Sequence, residues 1–558
     1  MNSFFKRFPE KPILILLAVN ILIGFLVFRD YGLSWDEPLF YDYGDALGYA
    51  YSPREWLSGN FDINQSYGAS GDDHKTRGPA YLLIAREPVY LLEAFGLDEA
   101  SAWHLINFLF FQFGVHFLYR LSSRWMSSSA ALATAALFSW QPLLWGHAFI
   151  NPKDPPFLVF FLASVCLGFE MVDKLSDEAI NNKQKFSSTI IPAMLLGFTT
   201  SIRVLGPLAG LLVLAYAIWR FGSRFAGFIA PFIFYGIIAI LAMFITWPFL
   251  WEHPLARFIE VFGFMSDNPT QLSVLFGGEV YRAGELPRRY LPFMLATTLT
   301  EPAWPLFFFG VLVGYLKLLK QNQNLNVIAS LREAIPADSW RSLRSSLDLA
   351  TTRNQIVSLT LILLWFVILL GYVLTRRPSM YDGLRHFLFI LPPIFIFTGF
   401  TFEFLMERIQ RVQLIQPMWL RAGLILILLL PGLVGIVQLH PYEYTYYNSF
   451  IGGTDRAFRQ FETDYWLTCY KEAVEGLDQT LDEPINLYVH REAYIAGYYA
   501  DENITIHELR GALNNVKPGD YVLINTRTNE DRRVFKGAPP ILQIARGDAV
   551  FCIIKRIP

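Results

Sequence analysis

The feature that most constrains this chain is a series of eleven long apolar runs within its first 440 residues. They fall at 12–28, 102–119, 130–149, 155–172, 188–202, 204–219, 226–249, 291–316, 355–374, 387–405 and 421–439. Lipid offers no hydrogen bonds to a backbone, so runs of roughly 20 apolar residues are read as spanning helices. Composition agrees. Only 17% of residues are charged and 53% are hydrophobic, whereas soluble domains carry about 25% charged residues. The formal net charge of −2 gives no reason to expect a nucleic-acid partner. The expected fold class is an α-helical polytopic membrane protein of about eleven transmembrane helices. The weakest point is Arg203, set between two short runs. Residues 188–219 read as two helices or as one bent helix, and the second choice reverses every orientation downstream.

Lys6, Arg7 and Lys11 precede the run Pro12–Phe28, and no small-x-small cleavage site follows. This predicts an uncleaved first helix. With the N-terminus in the cytoplasm, the inside segments carry 18 Lys and Arg residues and the short outside turns carry 5. The positive-inside rule therefore supports this threading. It leaves outside a large first loop (29–101), a turn around 150–154, a loop at 250–290 and everything after 440. Within the first loop, Tyr81–Phe95 is interrupted by Arg86, Glu87, Pro88 and Glu93. It reads as an amphipathic helix on the membrane surface. The polar stretch 318–353 falls in the cytoplasm.

The division expected is a transmembrane domain, 1–440, and a small extracytoplasmic α/β domain, 441–558. Residues 485–490, 504–507 and 521–525 read as strands, 492–499 as a helix, and 541–545 with 549–555 as a hairpin turning at Arg546-Gly-Asp548. Cys166 lies in an apolar run and reads as a core residue. Cys469 and Cys552 both fall in the C-terminal region, where a disulfide is open to them.

Under this threading the polar clusters collect on the outer face. They are Ser34-Trp-Asp-Glu-Pro38, Asn151-Pro-Lys-Asp154, Arg203, and Arg376-Arg377 through Arg385-His386. Each comes from a different hairpin. Arginine grips phosphate with two parallel bonds and lysine as a point charge. A neutralised phosphate leaves more readily, and a carboxylate can take the proton of an incoming hydroxyl. The chemistry suggested is sugar transfer from a lipid phosphate. Paired acids could also hold a divalent cation against that phosphate. Each cluster has a plainer reading. Asp36-Glu37 could be a solvated turn among Trp35, Phe40, Tyr41 and Tyr43. Asp154 could cap the helix opened by Pro155-Pro156. Arg203 could reach for headgroups, and Arg376 and Arg377 look like flanking charges. Glu301 falls inside a span, where an ionisable group is costly and Pro302 suggests a break. It could line the same cavity. His440 and Glu443 lie just past the last span, in an aromatic belt.

This order of motifs resembles the GT-C membrane glycosyltransferases, nearest the protein O-mannosyltransferases and the aminoarabinose transferases of lipid A. The matching pieces are Asp36-Glu37, Asn151–Asp154, Thr200-Ser-Ile-Arg203, Arg385-His-Phe-Leu-Phe-Ile-Leu-Pro392 and the segment His440–Trp466, within roughly residues 12 to 470. The resemblance implies a GT-C-like fold and a polyprenyl-phosphate-linked sugar donor. It implies a lipid, glycan or protein acceptor, with the active site outside a bacterial inner membrane. Carried over, Asp36 is the general base and Glu37 supports it. Asp154 is a second acid near the donor or a metal. Lys153, Arg203, Arg385 and His386 face the donor phosphate. The chain departs from the pattern in its first loop, where His74-Lys-Thr-Arg-Gly-Pro79 stands for His-Pro-Pro, and in carrying Arg203 where the aminoarabinose branch has a lysine-rich motif. Two other functions fit the spans. A transporter or flippase of lipid-linked sugars would be expected to show inverted repeats, and none is evident. A non-catalytic assembly or binding protein would tolerate neutral residues at Asp36 and Asp154.

Overall fold

The computed structural model describes residues 11–177, 180–266, 271–330, 349–409, 417–480 and 483–558. Half of the predicted 318–353 stretch, several of the counted cytoplasmic charges and the extreme N-terminus lie outside these residues. The helices used below are α1 (Lys11–Val27), α2 (Glu37–Ala50), α3 (Ala80–Ala94), α4 (Glu99–Ser122), α5 (Ser128–Ser139), α6 (Pro142–Ile150), α7 (Asp154–Leu175) and α8 (Asn182–Ile202). They continue with α9 (Pro207–Phe221), α10 (Ile229–Ile245), α11 (Tyr290–Thr298), α12 (Ala303–Ser330), α13 (Leu349–Arg376), α14 (Pro392–Ile409) and α15 (Pro417–Leu439).

All eleven apolar runs fall on helix. Among the described residues, five stretches are long and apolar enough to cross a membrane: Asp154–Leu175, Pro207–Ile245, Ala303–Lys320, Arg353–Arg376 and Ala422–Leu439. Pro12–Val27 and Ser128–Ser139 are shorter apolar helices. The doubtful pair resolves into α8 and α9, parted at Arg203–Gly206. Two predicted spans are interrupted. Residues 130–149 break at Trp140-Gln141, where Pro142 restarts the helix. Residues 291–316 break at Leu299–Pro302, so Glu301 sits between helices rather than inside one. A break leaves backbone groups without intrahelical partners. Here the two breaks serve each other: Gln141 Nε2 donates to Thr300 Oγ1 at 2.8 Å, and Thr300 N donates to Gln141 Oε1 at 2.9 Å.

The segment predicted to lie on the membrane surface is α3, packed against α4. The 250–290 loop carries a helix, Pro254–Ser266, and an antiparallel hairpin of β1 (Ser273–Phe276) and β2 (Glu279–Arg282). After α15, residues 442–470 are mostly buried against the helices. Then comes a five-stranded mixed sheet: β3 (Ile485–Val489), β4 (Ile504–Glu508), β5 (Tyr521–Asn525), β6 (Pro540–Arg546) and β7 (Ala549–Arg556), in the order β4-β3-β5-β7-β6. The parallel pairs β3–β4 and β3–β5 join the antiparallel pairs β5–β7 and β6–β7. Helices α16 (Tyr470–Asp478) and α17 (Ala493–Tyr499) complete this unit. Cys469 and Cys552 form a disulfide that fastens the start of α16 to β7, and Cys166 is free and buried.

Three tyrosines of α17 staple the sheet unit to the helical part. Tyr494 OH donates to Trp35 O at 2.5 Å, while Tyr499 OH accepts from Leu33 N at 2.8 Å and Tyr498 OH from Ala100 N at 3.2 Å. The Tyr494 and Tyr499 contacts fix the loop that follows α1, and the Tyr498 contact holds the start of α4.

Candidate active site

That loop is held from two sides. Ser34 Oγ donates to Ile150 O at 3.1 Å, at the end of α6, and Trp35 N donates to Trp466 O at 3.2 Å. Asp36 therefore arrives beside the 151–154 turn. Its side chain does not cap α2. Instead Oδ2 accepts from Arg385 Nη1 at 2.6 Å. Burial acts to raise this carboxyl, but the charges of Arg385 and Arg77 and the Arg385 hydrogen bond outweigh it and hold it below the ordinary carboxylate range. Asp36 is thus ionised, and at 21% exposure it can still be reached. Glu37 is 0% exposed and fully engaged. It accepts from Ser34 N at 2.6 Å and Tyr41 OH at 2.5 Å, and His104 Nε2 lies 3.0 Å away. Glu37 builds the turn that presents Asp36.

Asp154 does not cap its helix. The helix begins at Asp154 itself, so the capping place falls to Lys153 and the capping bonds come from Asn151. Asn151 Oδ1 accepts from Lys153 N at 3.1 Å and Asp154 N at 2.9 Å. The freed carboxylate of Asp154 is buried, accepts from Asn151 Nδ2 at 3.0 Å and pairs with Arg203. Arg203 closes α8 with an extended backbone and a side chain only 12% exposed. It faces the cluster, not the headgroups.

The cluster holds more positive than negative charge. The Phe40 ring carries two cations, Lys153 Nζ at 5.6 Å and the Arg77 guanidinium at 5.8 Å. Among the described residues neither has a carboxylate within ion-pair reach. Burial, then Arg77 and Arg203, hold Lys153 well below an ordinary lysine. Such a group gains from an anion. Arg77 reaches the cluster because Gly78 lies directly on the backbone of α8, where an added Cβ would stand 1.2 Å from Ser201 O. Beside it, burial takes His74 down to about 4. His386 is neutral as well, depressed by burial and by Arg385, Arg203, Lys153 and Arg77, with its ring edge-on to Tyr381 at 4.7 Å. It can offer a ring N–H but no charge. Arg376 and Arg377 are exposed, as flanking charges are.

Arg385 is clamped between Tyr381 at 5.1 Å and Trp466 at 4.9 Å, and its Nη2 lies 2.9 Å from Asp382. Asp382 is wholly buried and also accepts from Trp466 Nε1 at 3.1 Å and Arg527 Nη2 at 2.6 Å. Arg527 comes from the sheet unit, just past β5. Its Nε donates to Glu462 at 2.9 Å, its Nη1 to Tyr465 O at 3.0 Å, and Trp35 lies 4.7 Å beneath it. Burial raises the Glu462 carboxyl against the opposing pull of Arg527. Among the described residues no group of three or more His, Cys, Asp or Glu side chains is placed to hold a metal ion.

No family model and no curated protein matches this chain. It is similar to ArnT from Cupriavidus metallidurans, at 12% identity over 97% of both chains with a TM-score of 0.43 in the apo state. The same protein bound to undecaprenyl phosphate aligns at 11% identity over 98% of both chains, with a TM-score of 0.43. It is also similar to the oligosaccharyltransferase of Archaeoglobus fulgidus, at 12% identity over 94% of this chain and 70% of that one, with a TM-score of 0.49. Both proteins are members of the GT-C superfamily.

The structure thus brings Asp36, Asp154, Lys153, Arg203, Arg385 and His386 into one cluster and places Glu37 in its supporting wall. Sequence reasoning gave no role to Arg77, His74, Asp382, Glu462, Trp466 or Arg527. Glu301 belongs elsewhere. It accepts from Ser449 N at 2.7 Å and Tyr446 OH at 3.4 Å, and lines a cavity of about 600 Å³ with Gln438, Tyr447, Asp455 and Arg546. His440 bridges Glu443 at 2.8 Å and Asp30 at 2.9 Å, and Tyr31 OH donates to the same Glu443 oxygen at 2.9 Å.

Proposed function

We propose that this protein is a glycosyltransferase that moves a sugar from a polyprenyl-phosphate donor to a hydroxyl-bearing acceptor. It is an integral protein of a bacterial inner membrane, with about eleven spans and with the site and the C-terminal domain outside the cytoplasm. The observation that carries this reading is one reachable carboxylate, Asp36, paired to Arg385 beside two further cations, Arg77 and Lys153, that have no carboxylate within ion-pair reach among the described residues. A lipid-phosphate sugar is a phosphodiester with one negative charge. When its anomeric C–O bond breaks, the bonding pair stays on the phosphate, which gains a second charge. A surplus of fixed cations stabilises that later state more than the substrate, which is what lowers a barrier.

In this mechanism Arg77, Lys153, Arg203 and Arg385 hold the donor phosphate, and His386 adds a ring N–H. The acceptor oxygen attacks the anomeric carbon and Asp36 takes its proton. Phosphate binding also draws on Arg385, so the bound donor makes Asp36 more basic when a base is needed. Asp154 keeps Arg203 in place and Glu37 holds the turn. Both site acids are paired with arginines, so the cations carry the charge, and activity with a chelator present tests whether a divalent ion adds to it.

Two observations support the orientation. Basic residues concentrate on the segments assigned to the inside. A disulfide in the C-terminal domain suits an oxidising compartment. Mass spectrometry of lipids, glycans and proteins from cells with and without this protein tests the proposal and identifies sugar and acceptor. An unchanged set of glycoconjugates overturns it.

A further inference from the structure

Arg527 carries the sheet unit into the buried side of the site. Arg527 is 1% exposed, and all three of its nitrogens are used, on Glu462, Tyr465 O and Asp382. Asp382 spends its other oxygen on Arg385 Nη2, and Arg385 Nη1 pairs with Asp36. Glu462, Arg527, Asp382, Arg385 and Asp36 thus form an unbroken row of acids and arginines, from the C-terminal domain to the partly exposed Asp36 carboxylate. Nearby contacts keep the row in register. Arg527 N donates to Asn525 Oδ1 at 2.7 Å, and Asn525 Nδ2 donates to Asp464 O at 3.1 Å. Asn525 also stands opposite disulfide-bonded Cys552 in the β5–β7 ladder.

We propose that Arg527 is a positioning residue that determines how much of the Arg385 charge reaches Asp36, so that the C-terminal domain completes the active site. This rests on Asp36 being the base. Arg385 is shared between two carboxylates. While Arg527 neutralises Asp382, Arg385 is left largely to Asp36. Without Arg527, Asp382 keeps Arg385 for itself and Asp36 binds its proton more tightly. Without the Asp382 charge the reverse holds. The other groups facing Asp36 stay unchanged in both cases: Arg77 and His74 from the first loop, Lys153 from the 151–154 turn, Arg203 from α8 and Tyr494 from α17.

The test is an infrared pH titration of the full-length protein in detergent. The protonated Asp36 band is assigned by its loss in Asp36→Asn. Arg527→Gln is expected to raise the Asp36 midpoint by about one pH unit, the lower end of what a neighbouring opposite charge produces. Asp382→Asn is expected to lower it, the double variant to return it near the wild-type value, and Arg527→Lys to leave it there. Midpoints that stay put in both single variants, or move the same way, overturn the proposal. If Arg527→Gln does not fold, Asp382→Asn decides: a midpoint that does not fall overturns it. The acid limb of the transfer rate should move with the midpoint. A wild-type protein that transfers no sugar instead overturns the glycosyltransferase reading and leaves the infrared result to decide this one.

Discussion

Arg385 Nη1 lies 2.6 Å from Asp36 Oδ2, a contact between residues 349 positions apart in the chain. It ties the loop after the first helix to the turn before α14. The same arginine touches Asp382, so one guanidinium joins the partly exposed Asp36 to the buried network below it.

Lys153 and Arg77 both rest on Phe40, and among the described residues neither has a carboxylate within ion-pair reach. Lys153→Ala and Arg77→Gln should each weaken donor binding about tenfold, in line with charge-assisted bonds of roughly 1.5–3 kcal/mol. Melting temperatures should change little. Titration with a polyprenyl phosphate, beside thermal melts, checks this.

Gly78 leaves no room for a methyl group, because Ser201 O occupies the place. Gly78→Ala should push the Arg77 loop off α8 at a cost of about 1–3 kcal/mol, with loss of transfer. Gly236 has open space around it, so Gly236→Ala is the control and should keep activity. Paired melts and transfer rates decide the matter.

His440 gives a pH dependence. Burial opposes its charge, but Glu443 and Asp30 outweigh burial and raise it above the usual imidazole value. A group raised on folding stabilises the folded state below its ordinary value, near 6.5, and stops doing so as pH rises through the raised value. His440→Gln should therefore lower the melting temperature more at pH 6 than at pH 9. An equal loss at both would contradict the clamp.

The Cys469–Cys552 disulfide closes a loop over a separation of 83 residues. A crosslink of that span restricts the unfolded chain by about 4 kcal/mol in the entropy model. Cys469→Ser with Cys552→Ser should lower the melting temperature of the sheet unit. It should also slow transfer, since β5 delivers Arg527. Melts and rates with and without a reductant follow both effects.

Much of this architecture was legible because membrane helices and strand patterns are local signals. The apolar runs, α3, the break at Pro302 and the order of strands and α17 all follow from neighbouring residues. The clustering of Asp36, Asp154, Arg203 and Arg385 followed from threading alone. What stayed hidden depends on distant packing. Arg527 ends an apolar strand like any surface arginine, and nothing near it shows that β5 docks onto Asp382. Asp382 hides between the Arg376-Arg377 pair and Arg385, before a glycine that turns the chain. Glu462 lies within the His440–Trp466 segment, but its partner Arg527 is brought to it only by the fold. Asp154 read as a cap because its helix was placed one residue late.

The most direct measurement is sugar transfer by purified Asp36→Asn beside wild type, with donor binding measured on the same samples. The account predicts that transfer falls at least about a hundredfold, the usual contribution of a general base. Donor binding should be kept or strengthened, since Arg385 is released to the phosphate. Wild-type rates in Asp36→Asn, or movement of the lipid-linked sugar across vesicles without any covalent transfer, would contradict it.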